Sequence, residues 1–222
     1  MAKSDREQVV VIGMGRFGSA LALELVDQGT DVLAVDTRQD VVRRLSGSLG
    51  HVVTADSTDV DTLRELGVAD YDRAVVAVGT DIEASILTTA NLVDLGVERI
   101  LAKAITRQHA RILERVGAHH VVLPEHDMGQ RVAHLVSGRM LDYIEIDDEY
   151  AMVKTQPPKD LVGVPPGQSD LPSRYRVNIV SSRSHVDDTG YRPVSPDTVL
   201  MYGDLIVAIG RIADVERFAD SL

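Results

Sequence analysis

The chain has 222 residues, a length that fits one large domain or two small ones, and its 44% apolar content suffices for a buried core. The absence of cysteine excludes disulfides, thiolate catalysis and Cys-ligated metals. The formal charge of −11 argues against a protein that binds nucleic acid through its phosphates, so we expect no nucleic-acid partner.

No apolar run reaches the roughly 20 residues that a membrane-spanning helix needs. The polar segment Met1–Gln8 lacks the hydrophobic region of a signal peptide. We therefore expect a cytoplasmic protein that reaches a membrane only through a partner.

Short β-branched runs alternate with helical patterns over the first 123 residues. Asp59 is placed to begin one of the helices, and Gly67 to end it. Six strands that alternate with helices predict an α/β fold, a Rossmann-like doubly wound parallel sheet. The runs are apolar on both faces, as in strands covered by helices on both sides: Val9–Ile12, Val32–Val35, His51–Thr54, Ala74–Val78, Ile100–Ala102 and His120–Leu123.

The pattern changes near residue 140, and seven of the eight prolines lie beyond it. A helix is predicted at Met128–Ser137, ended by Gly138, and Ile144 and Ile146 predict a half-buried strand at Tyr143–Asp147. We therefore expect two domains, residues 1–139 and 140–222, the second a small α+β domain. Its other predicted elements are strands at Tyr150–Thr155, Arg176–Ser181, Val199–Leu200 and Leu205–Ile209, and a helix with Ile212, Val215, Phe218 and Leu222 on one stripe.

The sharpest motif is a G-x-G-x-x-G loop at Gly13–Gly18, between the first strand and the next helix. Its glycines permit a tight turn and close approach of a diphosphate, and the helix N-terminus offers free N–H groups. Asp36 ends the second strand, where a carboxylate accepts hydrogen bonds from ribose hydroxyls. Asp36 would repel the 2′-phosphate of NADP, although Arg38 lies close by. Alternatively, the glycines only pack helix against strand.

The ends of the third and fourth strands add candidate contacts, because ligands of open α/β sheets bind outside the carboxyl ends of the strands. Asp56, followed by Ser57, either contacts a base or caps a helix. Gly79, preceded by Ala77 and Val78, either lets a base or ribose approach or only forms a turn.

Two charged residues also have two interpretations each. Arg16, inside the glycine loop, either pairs with a phosphate, within one subunit or across an interface, or is a solvated arginine at a helix start. Glu125 follows the sixth strand directly. It either holds a hard cation against phosphate oxygens or is an acid at a helix start.

With these residues in place, the chain resembles the RCK (regulator of potassium conductance) family of potassium-transport regulators, and within it the KtrA and TrkA proteins. The most specific match is the Pro-Glu-x-Asp-Met-Gly string at residues 124–129. The resemblance covers nearly the whole chain. Its other pieces are the loop Gly13–Gly18, the strand Val32–Asp36, Ile82–Thr89, Lys103–Ala104, Val116–Ala118, Ser195–Pro196 and Gly203–Leu205.

The resemblance implies an N-terminal RCK_N domain with a crossover helix (1–139) and a C-terminal RCK_C domain (140–222). It implies a gating subunit controlled by ATP and ADP, or by NAD or NADH as in TrkA-type proteins. It further implies homodimers that assemble into an octameric ring. Their partner would be a membrane-embedded, KtrB- or TrkH-like potassium-translocating subunit at the inner face of the plasma membrane.

By position, Arg16 matches the arginine that reaches the γ-phosphate of a neighbouring subunit's ATP, Asp36 the ribose-binding acid, and Glu125 the glutamate associated with a divalent cation or Na⁺. Cyclic di-AMP is implied as a second ligand, at Leu161, Val162, Arg174 and Tyr175. The expected nucleotide-binding residues are Gly13, Met14, Gly15, Arg16, Phe17, Gly18, Asp36, Thr37, Arg38, Asp56, Ser57, Ala77, Val78, Gly79, Lys103 and Glu125.

Two other classes of protein share a Rossmann core. An NAD-dependent dehydrogenase needs a proton-relay group at the nicotinamide and a polar substrate pocket. The seven histidines are scattered, and we interpret His119 and His120 as surface residues. A redox-sensing transcription regulator needs a basic recognition helix, and no helical segment is basic. We therefore expect a regulator and not an enzyme.

Overall fold

The structure is a computed structural model that describes residues 7–136, 140–169, 171–187 and 190–221. The chain forms two compact units, divided between Glu125 and His126. The predicted domain boundary after residue 139 and the helix end at Ser137 and Gly138 lie outside the described residues. The assignment of residues 1–139 and 140–222 to two functional domains stays a prediction.

The first unit is built on a six-stranded sheet in which every neighbouring pair is parallel. The strand order is β3-β2-β1-β4-β5-β6, so the winding reverses between β1 and β4. This confirms the predicted doubly wound sheet. The strands are β1 Gln8–Ile12, β2 Asp31–Asp36, β3 His51–Thr54, β4 Arg73–Val76, β5 Arg99–Lys103 and β6 His120–Val122.

Both faces of this sheet are buried. Val10 and Ile12 of β1 belong to one core cluster, whereas the alternate residues Val9 and Val11 belong to another. Side chains of a strand alternate between faces, so a strand covered on both sides needs apolar residues throughout. This is the physical basis of the apolar runs in the sequence.

Five helices accompany the sheet, a sixth runs from the end of this unit into the next, and side-chain caps begin several of them. The Asp59 carboxylate accepts a hydrogen bond from Asp61 N, and Gly67 is left-handed just after that helix, as predicted. The last helix starts at Pro124, ahead of the predicted Met128, because proline is favoured in a first turn. The helices are α1 Arg16–Asp27, α2 Gln39–Leu45, α3 Val60–Glu65, α4 Ile82–Asp94, α5 Arg107–Val116 and α6 Pro124–Val136.

The second unit contains a five-stranded antiparallel sheet, in the order β10-β9-β11-β8-β7. Val215 and Phe218 of the last helix are fully buried in its core, which confirms their place on the predicted stripe. Leu222 lies outside the described residues. The elements are β7 Asp142–Glu145, β8 Tyr150–Thr155, α7 Leu171–Arg174, β9 Val177–Arg183, β10 Arg192–Pro193, β11 Leu205–Arg211 and α8 Ile212–Ala219.

Two sequence expectations for this unit are wrong. Val199–Leu200 is not a strand, because Leu200 makes only an isolated bridge with Val162. On β7, Tyr143 is buried while Ile144 is 50% exposed, the reverse of the predicted face, and Ile146 is exposed too. Tyr143 pairs with Val153 of β8, and the aromatic ring fills the core in place of the isoleucines.

Candidate nucleotide-binding site

A cavity of about 860 Å³ lies at the carboxyl ends of the parallel strands in the first unit. Residues from the segments that follow all six strands contribute to its walls. Of the sequence-predicted nucleotide-binding residues, all but Met14 and Gly18 line it: Gly13, Gly15, Arg16, Phe17, Asp36, Thr37, Arg38, Asp56, Ser57, Ala77, Val78, Gly79, Lys103 and Glu125.

Sequence reasoning missed other lining residues. Thr80 and Asp81 lie just after the predicted fourth strand, and Ile105 lies just after the fifth. Because ligands of open α/β sheets bind outside the carboxyl ends of the strands, the sequence contains a signal for these three residues. Leu87 carries no such signal, because it is an apolar helical residue that looks like core. The missed set is Ile12, Val35, Ala55, Thr58, Thr80, Asp81, Glu83, Ala84, Leu87 and Ile105.

The three glycines of the loop have different roles. Gly13 has φ +94°, and a Cβ there would lie 2.9 Å from Val78 N. A Cβ on Gly18 would overlap the Gly13 carbonyl oxygen. Gly15 has no neighbour within 4 Å of its Cβ position. Packing therefore explains Gly13 and Gly18, whereas only open space surrounds Gly15 on its cavity side.

Gly15 is the N-cap of α1, and no side chain caps this helix. The first N–H groups of a helix have no intrahelical partners. Together with the helix dipole, such groups favour an anion at this end. The loop therefore offers backbone donors at the place where the sequence predicts a diphosphate.

Asp36 is buried at the end of β2, and both of its carboxylate oxygens accept hydrogen bonds. Its Oδ2 accepts from Met14 N at 2.7 Å, and its Oδ1 accepts from Arg38 N at 2.8 Å and from Arg38 Nε at 3.2 Å. Burial by itself would raise the pKa of Asp36, but the hydrogen bonds from Arg38 and Met14 outweigh burial and lower it. Asp36 is thus an ionised acceptor at the ribose position of a Rossmann site.

Asp56 belongs to a tight local turn. Its Oδ1 accepts hydrogen bonds from Thr58 N at 2.9 Å and Thr58 Oγ1 at 2.7 Å, and these bonds lower the pKa of Asp56. Since Asp59 caps α3, the capping interpretation of Asp56 is wrong. Ser57 is buried, with its Oγ 2.7 Å from Thr88 Oγ1, so only the edge of this residue faces the cavity.

A mostly buried lysine side chain lines the cavity at the carboxyl end of β5. Lys103 Nζ is 2.6 Å from Glu125 Oε1; the Lys103 side chain is 11% exposed, whereas that of Glu125 is 63% exposed. The Lys103 hydrogen bond lowers the pKa of Glu125, with a smaller contribution from the charge of Arg16. Arg16 is exposed on the cavity wall at the first position of α1. This part of the cavity lining therefore combines two cations with one carboxylate.

The residues fit a metal ion only in part. Glu125 offers one carboxylate, and Lys103 already occupies it. Within the described part of the chain, no group of three or more His, Cys, Asp and Glu side chains is placed to hold a metal. A cation at Glu125 would therefore need oxygen ligands from the phosphates of a bound nucleotide.

The four residues predicted for a second ligand do not gather around a described cavity. Leu161 and Tyr175 are buried, and the Tyr175 hydroxyl donates to Asp160, which also pairs with Arg174. Val162 bridges Leu200. A cavity of about 430 Å³ lies elsewhere in this unit, lined by Tyr150, Arg176, Asn178, Ile209, Gly210, Arg211 and Asp214.

Among the described residues that line the large cavity there is no histidine. The chain has one Tyr-x-x-x-Lys spacing, Tyr150 and Lys154, but both lie on β8. Residues four apart on a strand are separated by about 13 Å, too far for one relay. His119 and His120 are exposed, as predicted.

Fold and site together define a Rossmann-type nucleotide-binding unit followed by a small β-rich unit. A family model for the TrkA-N domain matches residues 9–124. The chain is 36% identical over 214 residues to the Ktr system potassium uptake protein C of Bacillus subtilis, covering 96% of both chains. It is 35% identical over 209 residues to the Ktr system potassium uptake protein A of Vibrio alginolyticus, covering 94% of both. The chain therefore belongs to the TrkA-N family, and within it to the Ktr potassium uptake proteins.

Solved structures agree on the fold. The GsuK RCK domain superposes with a TM-score of 0.66 at 18% identity, covering 100% of this chain and 48% of that one. The chain thus spans about half of the length of that structure. The expected RCK architecture is confirmed. None of the described helices combines the length and apolar composition that crossing a membrane requires.

Proposed function

We propose that this chain is the cytoplasmic gating subunit of a potassium uptake transporter and that ATP and ADP control it. The observation that carries the proposal is the cavity at the carboxyl ends of β1–β6. It joins the glycine loop, the ionised Asp36 and the cationic pair Arg16 and Lys103. The full-length similarity to Ktr potassium uptake proteins supports the transport role.

The residues that line the cavity divide by their chemistry. The carboxylates of Asp36 and Asp56 suit ribose hydroxyls and the amino group of a base, while the loop and the two cations suit phosphates. The cavity's volume of about 860 Å³ is that of a small-molecule site. We assign no catalytic step to it.

Control requires that the two nucleotides favour different conformations, because a ligand shifts an equilibrium only by its differential affinity. The γ-phosphate is that difference. We propose that Arg16, exposed at the cavity wall, bonds the γ-phosphate of ATP held by a neighbouring subunit. ATP then bridges two subunits, and ADP leaves the two arginines without a shared partner.

The second candidate is a regulator that senses NAD or NADH through the same cavity. The buried Asp36 at the ribose position is compatible with NAD and unfavourable for NADP. A solved RCK structure of the same fold is the GsuK channel bound to NAD, at 18% identity. Comparison of NAD, NADH, ATP and ADP on one preparation separates the two candidates.

We propose further that the chain forms homodimers and an octameric ring beneath a KtrB- or TrkH-like membrane subunit. A divalent cation or Na⁺ at Glu125 and cyclic di-AMP at Leu161, Val162, Arg174 and Tyr175 are further parts of this proposal. The names of the Ktr relatives support the transporter partner.

Co-reconstitution of the chain with such a membrane subunit in liposomes tests the function. Potassium uptake is expected to be faster with ATP than with ADP, and Gly15→Asp, which places a carboxylate at the phosphates, is expected to abolish the difference. A potassium uptake rate that is the same with and without the chain, and with either nucleotide, would contradict the proposal.

A further inference from the structure

The Lys103 ammonium is held in place by its surroundings. Lys103 is the last residue of β5, and its side chain is 11% exposed. A Cβ on Gly79 would lie 3.4 Å from both Lys103 Cε and Nζ, and Nζ lies 5.8 Å from the centre of the Phe17 ring. Strand and cavity wall together therefore fix where this charge sits.

Glu125 is the movable member of the pair. Its side chain is 63% exposed, and its Oε1 accepts from Lys103 Nζ at 2.6 Å. A largely buried ammonium is unfavourable without an anionic partner, whereas an exposed carboxylate is readily solvated. An anion that takes the place of Glu125 on Lys103 would therefore free the carboxylate.

We propose that Lys103 couples nucleotide binding to cation binding by exchanging one anion for another. This inference rests on the proposed function. A phosphate of the bound nucleotide takes over the Lys103 ammonium, which releases the Glu125 carboxylate for a cation that the phosphates also ligate. Until the nucleotide arrives, Glu125 Oε1 stays paired with Lys103.

Lys103→Gln tests this exchange, because it keeps a polar side chain of similar length and removes the charge. Without the ammonium, the phosphates lose a counter-charge and Glu125 is already free. In EDTA, nucleotide affinity is therefore expected to fall about tenfold. Added Mg²⁺ is expected to recover most of this loss, so the Mg²⁺ effect on affinity is larger in Lys103→Gln than in the wild type.

The experiment is calorimetric titration of ADP and ATP into four proteins, in EDTA and in Mg²⁺: wild type, Lys103→Gln, Glu125→Gln and the double variant. For a given nucleotide and buffer, the metal complex in solution is the same for all four proteins, so differences between the proteins report on the site. Glu125→Gln and the double variant are expected to lose the Mg²⁺ effect. Lys103→Arg, which keeps the charge, is expected to retain wild-type behaviour. Thermal unfolding of each variant verifies that it is folded.

A loss in Lys103→Gln that is equal with and without Mg²⁺ would overturn the exchange and leave the proposed function standing. An unchanged affinity in Lys103→Gln would do the same. Absence of nucleotide binding in the wild type would remove the proposed function and the exchange with it.

Discussion

The Met14 backbone N–H donates a hydrogen bond of 2.7 Å to Asp36 Oδ2, which ties the glycine loop after β1 to the carboxylate that ends β2. Loop and carboxylate are the two parts of the site that a nucleotide would bridge. Asp36 therefore fixes the loop in addition to its proposed contact with ribose, and a change at this residue affects both stability and binding.

Asp36→Asn is expected to lower the free energy of unfolding by about 1–3 kcal/mol at neutral pH. An amide has one acceptor oxygen, so either the buried Met14 N–H or the part-buried Arg38 N–H loses its partner. Urea unfolding at pH 7 measures the loss. Leu23→Ala, a truncation of an exposed side chain on α1, serves as a control that should change stability by less than about 0.5 kcal/mol.

The same residue predicts an acid dependence. Because the folded-state pKa of Asp36 is lowered, its contribution is complete above the unfolded-state pKa of about 3.9 and is lost as pH falls through the folded-state pKa. Wild-type stability is therefore expected to decline more steeply below pH ~4 than that of Asp36→Asn. Parallel declines in the two proteins would show that Asp36 is not the group responsible.

Gly18→Ala and Gly15→Ala are expected to separate folding from binding. The first places a Cβ on the Gly13 carbonyl oxygen and should cost about 1–3 kcal/mol or more in unfolding free energy. The second places a Cβ in open space and should lower the unfolding free energy by less than about 1 kcal/mol, while it weakens nucleotide binding. Chemical unfolding and calorimetry on both variants measure the two effects. Equal stability of the variants would refute the packing role of Gly18.

The fold and much of the cavity wall follow from local rules that the sequence displays. Residues apolar on both faces identify strands of a covered parallel sheet, and the carboxyl ends of those strands identify the cavity. Gly13, Asp36 and Gly79 are found in this way, because each directly follows or ends a predicted strand.

The remaining features of the site and fold depend on which residues become neighbours in three dimensions, and the sequence does not show this. The pairing of Lys103 with Glu125 arises because β5 and β6 are adjacent, which no local pattern states. The face of β7 was predicted wrongly, since an aromatic residue and an aliphatic residue compete for one core position and only the register with β8 decides between them.

Arg16→Ala is expected to weaken ATP binding more than ADP binding, because only the γ-phosphate distinguishes the two and an exposed guanidinium pairs with phosphate. Arg44→Ala, on α2 and outside the cavity lining, is the matched loss of one positive charge. Calorimetry on the assembled protein gives the ratio of the two affinities. Equal losses for ATP and ADP would exclude a γ-phosphate contact.

In the second unit, Asp204→Ala is expected to cost about 1–3 kcal/mol of unfolding free energy. Asp204 is buried; its Oδ1 accepts from His185 N and lies 3.0 Å from His185 Nδ1, and its Oδ2 accepts from Met201 N. Truncation leaves the backbone N–H groups of His185 and Met201 without these acceptors. Asp197→Ala, at an exposed carboxylate, should change stability by less than about 0.5 kcal/mol. Similar losses in urea unfolding would mean that these bonds do not stabilise the fold.

The most direct test of the central claim is calorimetric titration of the purified chain with ATP, ADP, NAD and NADH. We expect ATP and ADP to bind with micromolar or tighter dissociation constants and Gly15→Asp to abolish that binding. Absence of binding by both adenine nucleotides at millimolar concentration would contradict the account.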